Sequence, residues 1–158
     1  MFSSLELQIL ITVIWPYYTC RYGTAGVVVE MKPQKVLIIE DEPDLRLILS
    51  LCLQHSGYFD TIAASDGIEG IEMAKQQKPD LILIDAMMPR LDGYATCRLM
   101  KQDSTLKSIP VIFLTAKTDQ REVDRAIKAG ACGYLYKPFD PLKLADQIQT
   151  IISSKENL

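Results

Sequence analysis

The stretch LILIDAMMPRLDG at residues 81–93 decides the fold. It opens with four branched aliphatic residues, a run too short for a helix and typical of a strand buried on both faces. The strand ends at the carboxylate of Asp85, and Pro89 keeps the next residues from forming regular structure. Asp92 is placed to cap a helix that begins near Gly93. Asp85 alone could simply end the strand, so a functional role for it depends on which polar residues lie at the neighbouring strand ends.

Strand and helix patterns alternate along the chain from Lys35 onward. The strands are predicted at 35–41, 59–64, 80–85, 110–115 and 131–136, and the helices at 43–56, 67–77, 94–101, 119–129 and 140–152. The apolar faces of the helices include Ile48, Ile68 and Leu142. This alternation predicts an α/β fold with a doubly wound, five-stranded parallel sheet and five helices. The expected strand order is 2-1-3-4-5, with a ligand crevice between strands 1 and 3.

The predicted domain spans residues 34–153, with residues 154–158 as a C-terminal tail. Residues 1–33 differ from it in composition. The apolar run at 5–18 is shorter than the about 20 residues that span a bilayer. The first twenty residues contain no Lys or Arg, unlike a signal peptide. We interpret residues 1–33 as an N-terminal extension that is poorly ordered or forms a short apolar helix, and no membrane span is expected.

Composition excludes several classes of site. The 158 residues carry a net charge of −3, and their basic residues are scattered, so we expect no direct nucleic acid binding. Four cysteines occur without a Cys-x-x-Cys pair, and the chain has one His, which argues against a zinc site and a disulfide framework. Unpaired cysteines indicate a reducing compartment, so the expected location is cytoplasmic.

Polar side chains stand at the ends of four predicted strands that meet at one edge of the sheet. Strand 1 ends in Glu40 and Asp41, and strand 3 ends in Asp85. Strand 4 ends in Thr115, and Lys137 follows strand 5 in a turn whose proline could be cis. Crowded carboxylates repel one another and favour a bound cation, and oxygen ligands suit a hard ion such as Mg²⁺. Together with a hydroxyl and an amine, this set could hold a phosphoryl group beside a metal.

Four motifs in a fixed order carry a resemblance to a known family. They are the acidic pair after strand 1, the Asp-x-Met-x-Pro-x-x-Asp-Gly loop at 85–93, Leu-Thr-Ala at 114–116 and Gly-Tyr-x-x-Lys-Pro-Phe at 133–139. Each motif is weak alone, but four in register at converging strand ends are not expected by chance. Over about residues 35–152 the sequence resembles the receiver domain of two-component response regulators, of the stand-alone single-domain type with a flavodoxin-like fold.

The resemblance implies a phosphoacceptor and a metal site. Asp85 would accept a phosphoryl group from a histidine kinase or a phosphotransfer protein. Mg²⁺ would be the cofactor, held by the carboxylates of Glu40, Asp41 and Asp85 and by the backbone carbonyl of Met87. Many members of the family have Asp where this chain has Glu40, which affects the detailed geometry of the metal site. The family's role is a phosphoacceptor switch, not an enzyme with an external substrate.

The resemblance also implies how the signal is read and how long it lasts. Lys137 and Thr115 would contact the phosphoryl oxygens, and Thr115 and Tyr134 would form the switch. A downstream protein would bind the face made by helix 4, strand 5 and helix 5. Met87 and Lys117 would flank the approach of the hydrolytic water, and neither can orient it, so we expect slow autodephosphorylation.

Three other functions are weighed against this one. A phosphohydrolase with an Asp nucleophile generally has a second Asp two residues later, where this chain has Met87. A flavodoxin-like cofactor binder would have a phosphate-binding loop rich in Ser, Thr and Gly after strand 1. A receiver-like interaction module that is never phosphorylated stays open as the alternative. The strand reads Ala131-Cys132-Gly133-Tyr134, without the acidic pair that precedes this Tyr in relatives that dimerise, so the family's common dimer is not favoured and the oligomeric state stays open.

Overall fold

The computed structural model describes residues 18–23, 26–31, 33–116 and 120–156. The strands in this part are β1 (Tyr18–Gly23), β2 (Gly26–Met31), β3 (Gln34–Ile39), β4 (Phe59–Ala64), β5 (Leu81–Asp85), β6 (Val111–Thr115) and β7 (Gly133–Tyr136). The helices are α1 (Pro43–His55), α2 (Gly67–Gln77), α3 (Gly93–Gln102), α4 (Gln120–Ala129) and α5 (Leu144–Glu156).

Strands β3 to β7 form one parallel sheet in the order β4-β3-β5-β6-β7. Numbered within this sheet, the order is 2-1-3-4-5, which confirms the predicted topology. The central strand β5 pairs with β3 on one side and β6 on the other. Its register places Ile84 opposite Ile39 and Phe113, so the carboxyl ends of the three strands lie side by side.

Every residue of β5 is buried, because helices cover both faces of the sheet. Ile82 and Ile84 belong to a core cluster with residues of α2, α3 and α4. Leu81 and Leu83 belong to a second cluster with residues of α1 and α5. Successive side chains of a strand point to opposite faces, so the unbroken aliphatic run supplies both cores at once.

Capping residues fix where two of the helices begin. The carboxylate of Asp66 accepts hydrogen bonds from the backbone N–H groups of Ile68 and Glu69, at 2.9 and 3.0 Å, at the start of α2. Asp92 accepts one from the N–H of Ala95 at 2.7 Å at the start of α3. The Asp92 cap confirms the predicted start of this helix, directly after the loop that follows β5.

Three apolar side chains that we expected to be inward are exposed. Ile48 is 45% exposed and Ile68 is 53% exposed, so each lies at the solvent edge of its helix. Leu142 is 87% exposed because α5 begins at Leu144, not at residue 140. The carboxylate of Asp140 accepts a hydrogen bond from the N–H of Leu142 at 3.0 Å, which stabilises a turn ahead of the helix.

The residues before the sheet contain an antiparallel hairpin. β1 pairs with β2, with Tyr18 opposite Met31 and Gly23 opposite Gly26. This hairpin differs from the poorly ordered extension or short helix that we favoured for residues 1–33, and the consecutive valines of β2 account for it through their strand propensity. Residues 1–17 lie outside the described part of the chain. The boundaries of the predicted domain and tail stay a prediction.

Among the described helices, none is both long and apolar enough to cross a membrane.

Candidate functional site

The candidate site lies at the carboxyl edge of the parallel sheet. β5 ends at Asp85, whose partner across the β5–β6 ladder is Leu114. The ladder continues beyond Asp85, because the N–H of Ala86 donates to the carbonyl oxygen of Leu114 at 2.9 Å. In the same way, the N–H of Lys137 donates to the carbonyl oxygen of Thr115 at 2.8 Å. These bonds hold the first residues after β5 and β7 in the plane of the sheet.

Three carboxylates converge at this edge. Glu40 and Asp85 are buried, with 1% and 7% of their surface exposed, whereas Asp41 is exposed. One carboxylate oxygen from each of the three lies within 4.8 Å of the other two. A set of oxygen donors at this spacing fits a hard divalent cation such as Mg²⁺.

The amine of Lys137 occupies the space between the two buried acids. Its Nζ lies 2.8 Å from Oε2 of Glu40 and 3.1 Å from Oδ1 of Asp85. The side chain is 19% exposed, so these contacts are only partly screened by solvent. The Lys137–Pro138 peptide bond is cis, as the sequence suggested.

The other residues singled out from the sequence lie around this cluster. Thr115 is 5% exposed at the end of β6. Met87 lies two residues beyond Asp85, and its side chain is 55% exposed. Tyr134 is half-buried on β7, with its ring centroid 5.2 Å from that of Tyr136. Lys117 lies outside the described residues, so its place beside the site is a prediction from the sequence alone.

Burial sets the electrostatics of the pocket. It raises the pKa of Glu40 above its ordinary value, although the hydrogen bond from Lys137 acts in the opposite direction. Burial likewise raises the pKa of Asp85, and the charge of Asp41 adds to the rise. Burial alone would lower the pKa of Lys137, but its hydrogen bond to Glu40 and the charge of Asp85 outweigh this, so that pKa is raised. Lys137 therefore opposes, but does not cancel, the effect of burial on the two acids.

A family model for the response regulator receiver domain matches residues 36–149. The chain belongs to this family. The match includes all but the first two residues of the parallel sheet and every strand end that contributes to the pocket, which agrees with the resemblance seen in the sequence motifs.

The curated relatives of this receiver domain include transcriptional regulators. The probable transcriptional regulator ycf27 of Porphyridium aerugineum is 37% identical over 134 residues, which cover 81% of this chain and 54% of the relative. The alkaline phosphatase synthesis transcriptional regulatory protein PhoP of Bacillus subtilis is 36% identical, with 78% of this chain and 50% of the relative covered. The chain thus spans about half the length of these relatives. They do not support the expected absence of nucleic acid binding.

Solved receiver structures share the fold. The chemotaxis protein CheY4 of Vibrio cholerae matches with a TM-score of 0.72 and 30% identity, covering 76% of this chain and 99% of that one. A receiver domain of a sensor histidine kinase from Pseudomonas aeruginosa matches with a TM-score of 0.69 and 31% identity, covering 77% and 99%. That structure has a magnesium ion coordinated in its active site cleft.

Two residues of this receiver domain bear on the site without having been singled out as site residues. Arg46 on α1 donates from Nη1 to the carbonyl oxygens of Glu40 and Asp41. Gly93 begins α3 so close to β5 that a Cβ there would lie 2.1 Å from the carbonyl oxygen of Asp85. The Asp-Gly motif predicted a helix start at Gly93 but not its close approach to Asp85. No local sequence pattern identifies Arg46, because its contacts depend on how the loop before α1 folds back.

The raised pKa of Asp85 predicts how this receiver domain responds to pH. The native state holds a proton on Asp85 more readily than the unfolded chain does. The group therefore contributes stability below its ordinary pKa of about 4, and this is lost as pH rises through the raised value. We expect Asp85→Asn to raise the free energy of unfolding at neutral pH by about 1 kcal/mol, because it removes one of three crowded carboxylates while Lys137 keeps Glu40 as its partner. The gain should vanish as the pH falls toward about 4.

Urea unfolding with a chelator present, at neutral pH and at stepwise lower pH, measures this difference. Asp60→Asn is the matched control, because Asp60 is exposed on β4 and its change should be small at every pH. A gain for Asp85→Asn that grows on acidification would show that the buried carboxylate stabilises the native state, contrary to the expectation.

Proposed function

We propose that this receiver domain is a phosphorylation-activated switch that accepts a phosphoryl group from a histidine kinase or a phosphotransfer protein on Asp85, with Mg²⁺ as cofactor. The observation that carries the proposal is the placement of Lys137, whose Nζ lies within 3.1 Å of a buried carboxylate at the end of the central strand. Two further acids stand beside that carboxylate. An acceptor, a cation and a hard-metal donor set are the components that phosphoryl transfer to a carboxylate requires.

In the proposed transfer, a carboxylate oxygen of Asp85 attacks the phosphorus atom of a phosphohistidine. The bond from phosphorus to the imidazole nitrogen breaks, and its electron pair leaves with the imidazole. Glu40, Asp41 and Asp85 would hold Mg²⁺, together with the carbonyl of Met87. The bound ion would supply charge neutralisation and alignment of the transferring group. The ammonium group of Lys137 already contacts Asp85 and would then form an ion pair with the new phosphoryl oxygens.

Intact mass spectrometry tests the proposal directly. We expect incubation with Mg²⁺ and a small acyl phosphate to add one phosphoryl group to the protein, and a chelator to prevent the addition. Asp85→Asn should not be modified, whereas Asp60→Asn, which removes an exposed carboxylate, should be modified like the parent. A parent protein that stays unmodified under saturating Mg²⁺ and donor, with kinase as donor as well, would favour the interaction module that is never phosphorylated.

A phosphoryl group at Asp85 would be read through Thr115 and Tyr134. Thr115 is buried at the end of the neighbouring strand, and Tyr134 lies on the next strand, with Phe113 as its partner in the β6–β7 ladder. We propose that the added charge of about −1.5 to −2 draws the Thr115 hydroxyl toward it, and that Tyr134 moves into the space this leaves. The face formed by α4, β7 and α5 would then bind the downstream protein.

We expect Thr115→Ala to accept the phosphoryl group but to lose most of the response of that face. Amide NMR shifts of α4, β7 and α5, compared with and without the phosphodonor, measure the response. Thr105→Ala, at an exposed site before β6, is the control and should respond like the parent. Shifts in Thr115→Ala as large as those of the parent would rule out a hydroxyl-driven switch.

The phosphorylated state is proposed to be long-lived. Met87 lies two residues after Asp85 and offers no group that could orient a hydrolytic water, and its apolar chain can cover the approach. Met87→Asn should shorten the half-life of the phosphoprotein several-fold, equivalent to roughly 1 kcal/mol of barrier. Leu99→Asn, an exposed site on α3, controls for the added amide. Equal half-lives for Met87→Asn and the parent in saturating Mg²⁺ would mean that the side chain at 87 does not limit hydrolysis.

The proposed location is the cytoplasm, where a histidine kinase or a phosphotransfer protein would meet this receiver domain. Among the described residues, Cys52, Cys97 and Cys132 form no disulfide, which fits a reducing compartment. Curated relatives are named as transcriptional regulators and are about twice as long as the matched part. Regulation of DNA binding is therefore the alternative to signalling through a protein partner. Binding assays with and without the phosphodonor distinguish them.

A further inference from the structure

The guanidinium group of Arg46 is bound to the backbone of the residues that carry two of the acids. Arg46 lies in the first turn of α1. Its Nη1 donates to the carbonyl oxygen of Glu40 at 2.6 Å and to that of Asp41 at 3.3 Å. The side chain is half-buried. One side chain thus joins two successive peptide units at the point where β3 ends and the acidic loop begins.

The hydrogen bonds donated by the backbone N–H groups of Glu40 and Glu42 are longer than the bond from Arg46 to Glu40. The N–H of Glu40 donates to the carbonyl oxygen of Ala64 on β4 at 3.2 Å. The N–H of Glu42 reaches Oε1 of Glu40 at 3.4 Å, near the limit of a hydrogen bond. The bond from Arg46 to Glu40 is the short one, and it is charge-assisted, which makes it the strongest restraint among these three.

The direction of this restraint matters for the pocket. Each carbonyl that Arg46 binds is turned toward α1, and this fixes the peptide planes on either side of Asp41. The orientation of a peptide plane determines where the next side chain leaves the backbone. Holding both planes therefore holds the Glu40 and Asp41 carboxylates in their positions relative to Asp85, from which one oxygen of each lies within 4.8 Å of the others.

We infer that Arg46 is a positioning residue of the metal site, acting through the backbone of Glu40 and Asp41 and not through contact with the ion. The inference rests on the proposed function, because it assumes that these acids bind Mg²⁺. Residues that orient metal ligands without touching the metal commonly affect metal affinity by about 10- to 100-fold when they are replaced.

An electrostatic role and a positioning role of Arg46 predict opposite changes in Mg²⁺ affinity when the residue is replaced. Arg46 is a cation beside an acidic pocket, so if it acted only through its charge, its removal would reduce repulsion of Mg²⁺ and tighten binding. If it positions the acids, its removal lets the loop move and weakens binding. The sign of the change in Mg²⁺ affinity therefore separates the two effects.

Isothermal titration calorimetry with Mg²⁺ on the full chain tests the inference. We expect Arg46→Ala to bind Mg²⁺ about tenfold more weakly than the parent. Arg46→Lys keeps the charge and can donate to one carbonyl, so its affinity should fall between the two. Arg98→Ala removes an equal charge from the exposed face of α3 and should bind like the parent.

A second readout guards against a variant that is merely less stable. Thermal unfolding with and without Mg²⁺ gives the shift that the ion produces, and this shift should shrink in Arg46→Ala even when the metal-free melting temperature is matched by choice of buffer. Binding by Arg46→Ala at the parent's affinity or more tightly overturns the inference and leaves the proposed function standing. A parent that binds no Mg²⁺ overturns the proposed metal site and the inference with it.

Discussion

We expect Lys137→Met to lower the free energy of unfolding of the metal-free protein by about 3 kcal/mol at neutral pH, because it leaves two buried acids without their cation. The ammonium group lies 2.8 Å from Glu40 and 3.1 Å from Asp85, and Glu40 is 1% exposed. Methionine keeps the length of the side chain and removes its charge. The loss should therefore report the electrostatics of the pocket more than its packing.

The pH dependence of this loss has a definite sign. The pKa of Lys137 is raised, so its stabilising contribution is present below the ordinary lysine value of about 10.4 and is lost as pH rises through the raised value. The pKa values of Glu40 and Asp85 are raised too, so both carboxyls take up protons early on acidification. The difference between Lys137→Met and the parent should shrink as the pH falls toward about 4.

Urea unfolding at several pH values, with chelator or with Mg²⁺, measures these effects. Mg²⁺ should stabilise Lys137→Met more than the parent, because the ion takes over the compensation of the acids. Lys107→Met removes an exposed lysine near β6 and should change stability little. A Lys137→Met protein as stable as the parent without metal would mean that the buried acids are protonated at neutral pH.

Gly93→Ala should cost about 3 kcal/mol of stability and prevent phosphorylation of Asp85. A Cβ at this position would lie 2.1 Å from the carbonyl oxygen of Asp85 and 3.1 Å from the Cα of Ala86. Both atoms belong to the backbone, so neither can rotate away. The start of α3 must move away from the end of β5, or Asp85 must shift out of the pocket.

The matched control is Gly133→Ala. Its Cβ would also be too close to another atom, at 2.4 Å, but that atom is Cγ2 of the Ile151 side chain. A side chain can adjust its rotamer, so the expected loss is smaller, below about 1.5 kcal/mol. Chemical denaturation and intact mass after incubation with a phosphodonor give the two readouts. A Gly93→Ala protein that is phosphorylated at the parent's rate would show that the loop accommodates the methyl group without disturbing Asp85.

The sheet and the acidic pocket were predictable because each depends on a short sequence pattern. Aliphatic runs of four or five residues between helical patterns identify buried parallel strands, and the topology then brings their carboxyl ends together. Glu40, Asp41, Asp85 and Lys137 follow from this rule alone, since each stands at or just after a strand end. The structure places their charged groups in contact or close to it.

Contacts that depend on the tertiary packing of helices could not be predicted in the same way. Glu122 on α4 is an example, because it is a charged residue that is only 8% exposed. Its carboxylate accepts a hydrogen bond from the hydroxyl of Tyr94 on α3 at 2.6 Å and pairs with Arg125 at 3.1 Å. A glutamate in a polar helix carries no local sign of such a partner. The bonds from Arg46 to the acidic loop are hidden from the sequence for the same reason.

The pairing of Lys137 with Glu40 and Asp85 also limits how such a pocket can change over generations. If Asp85 were lost first, Lys137 would keep Glu40 as a partner, so we expect the domain to keep its fold without the proposed phosphoacceptor. If Lys137 were lost first, the acids would be left uncompensated, and the metal-free domain would lose about 3 kcal/mol of stability. We therefore expect substitution of Asp85 to be tolerated more readily than substitution of Lys137 while both acids are present.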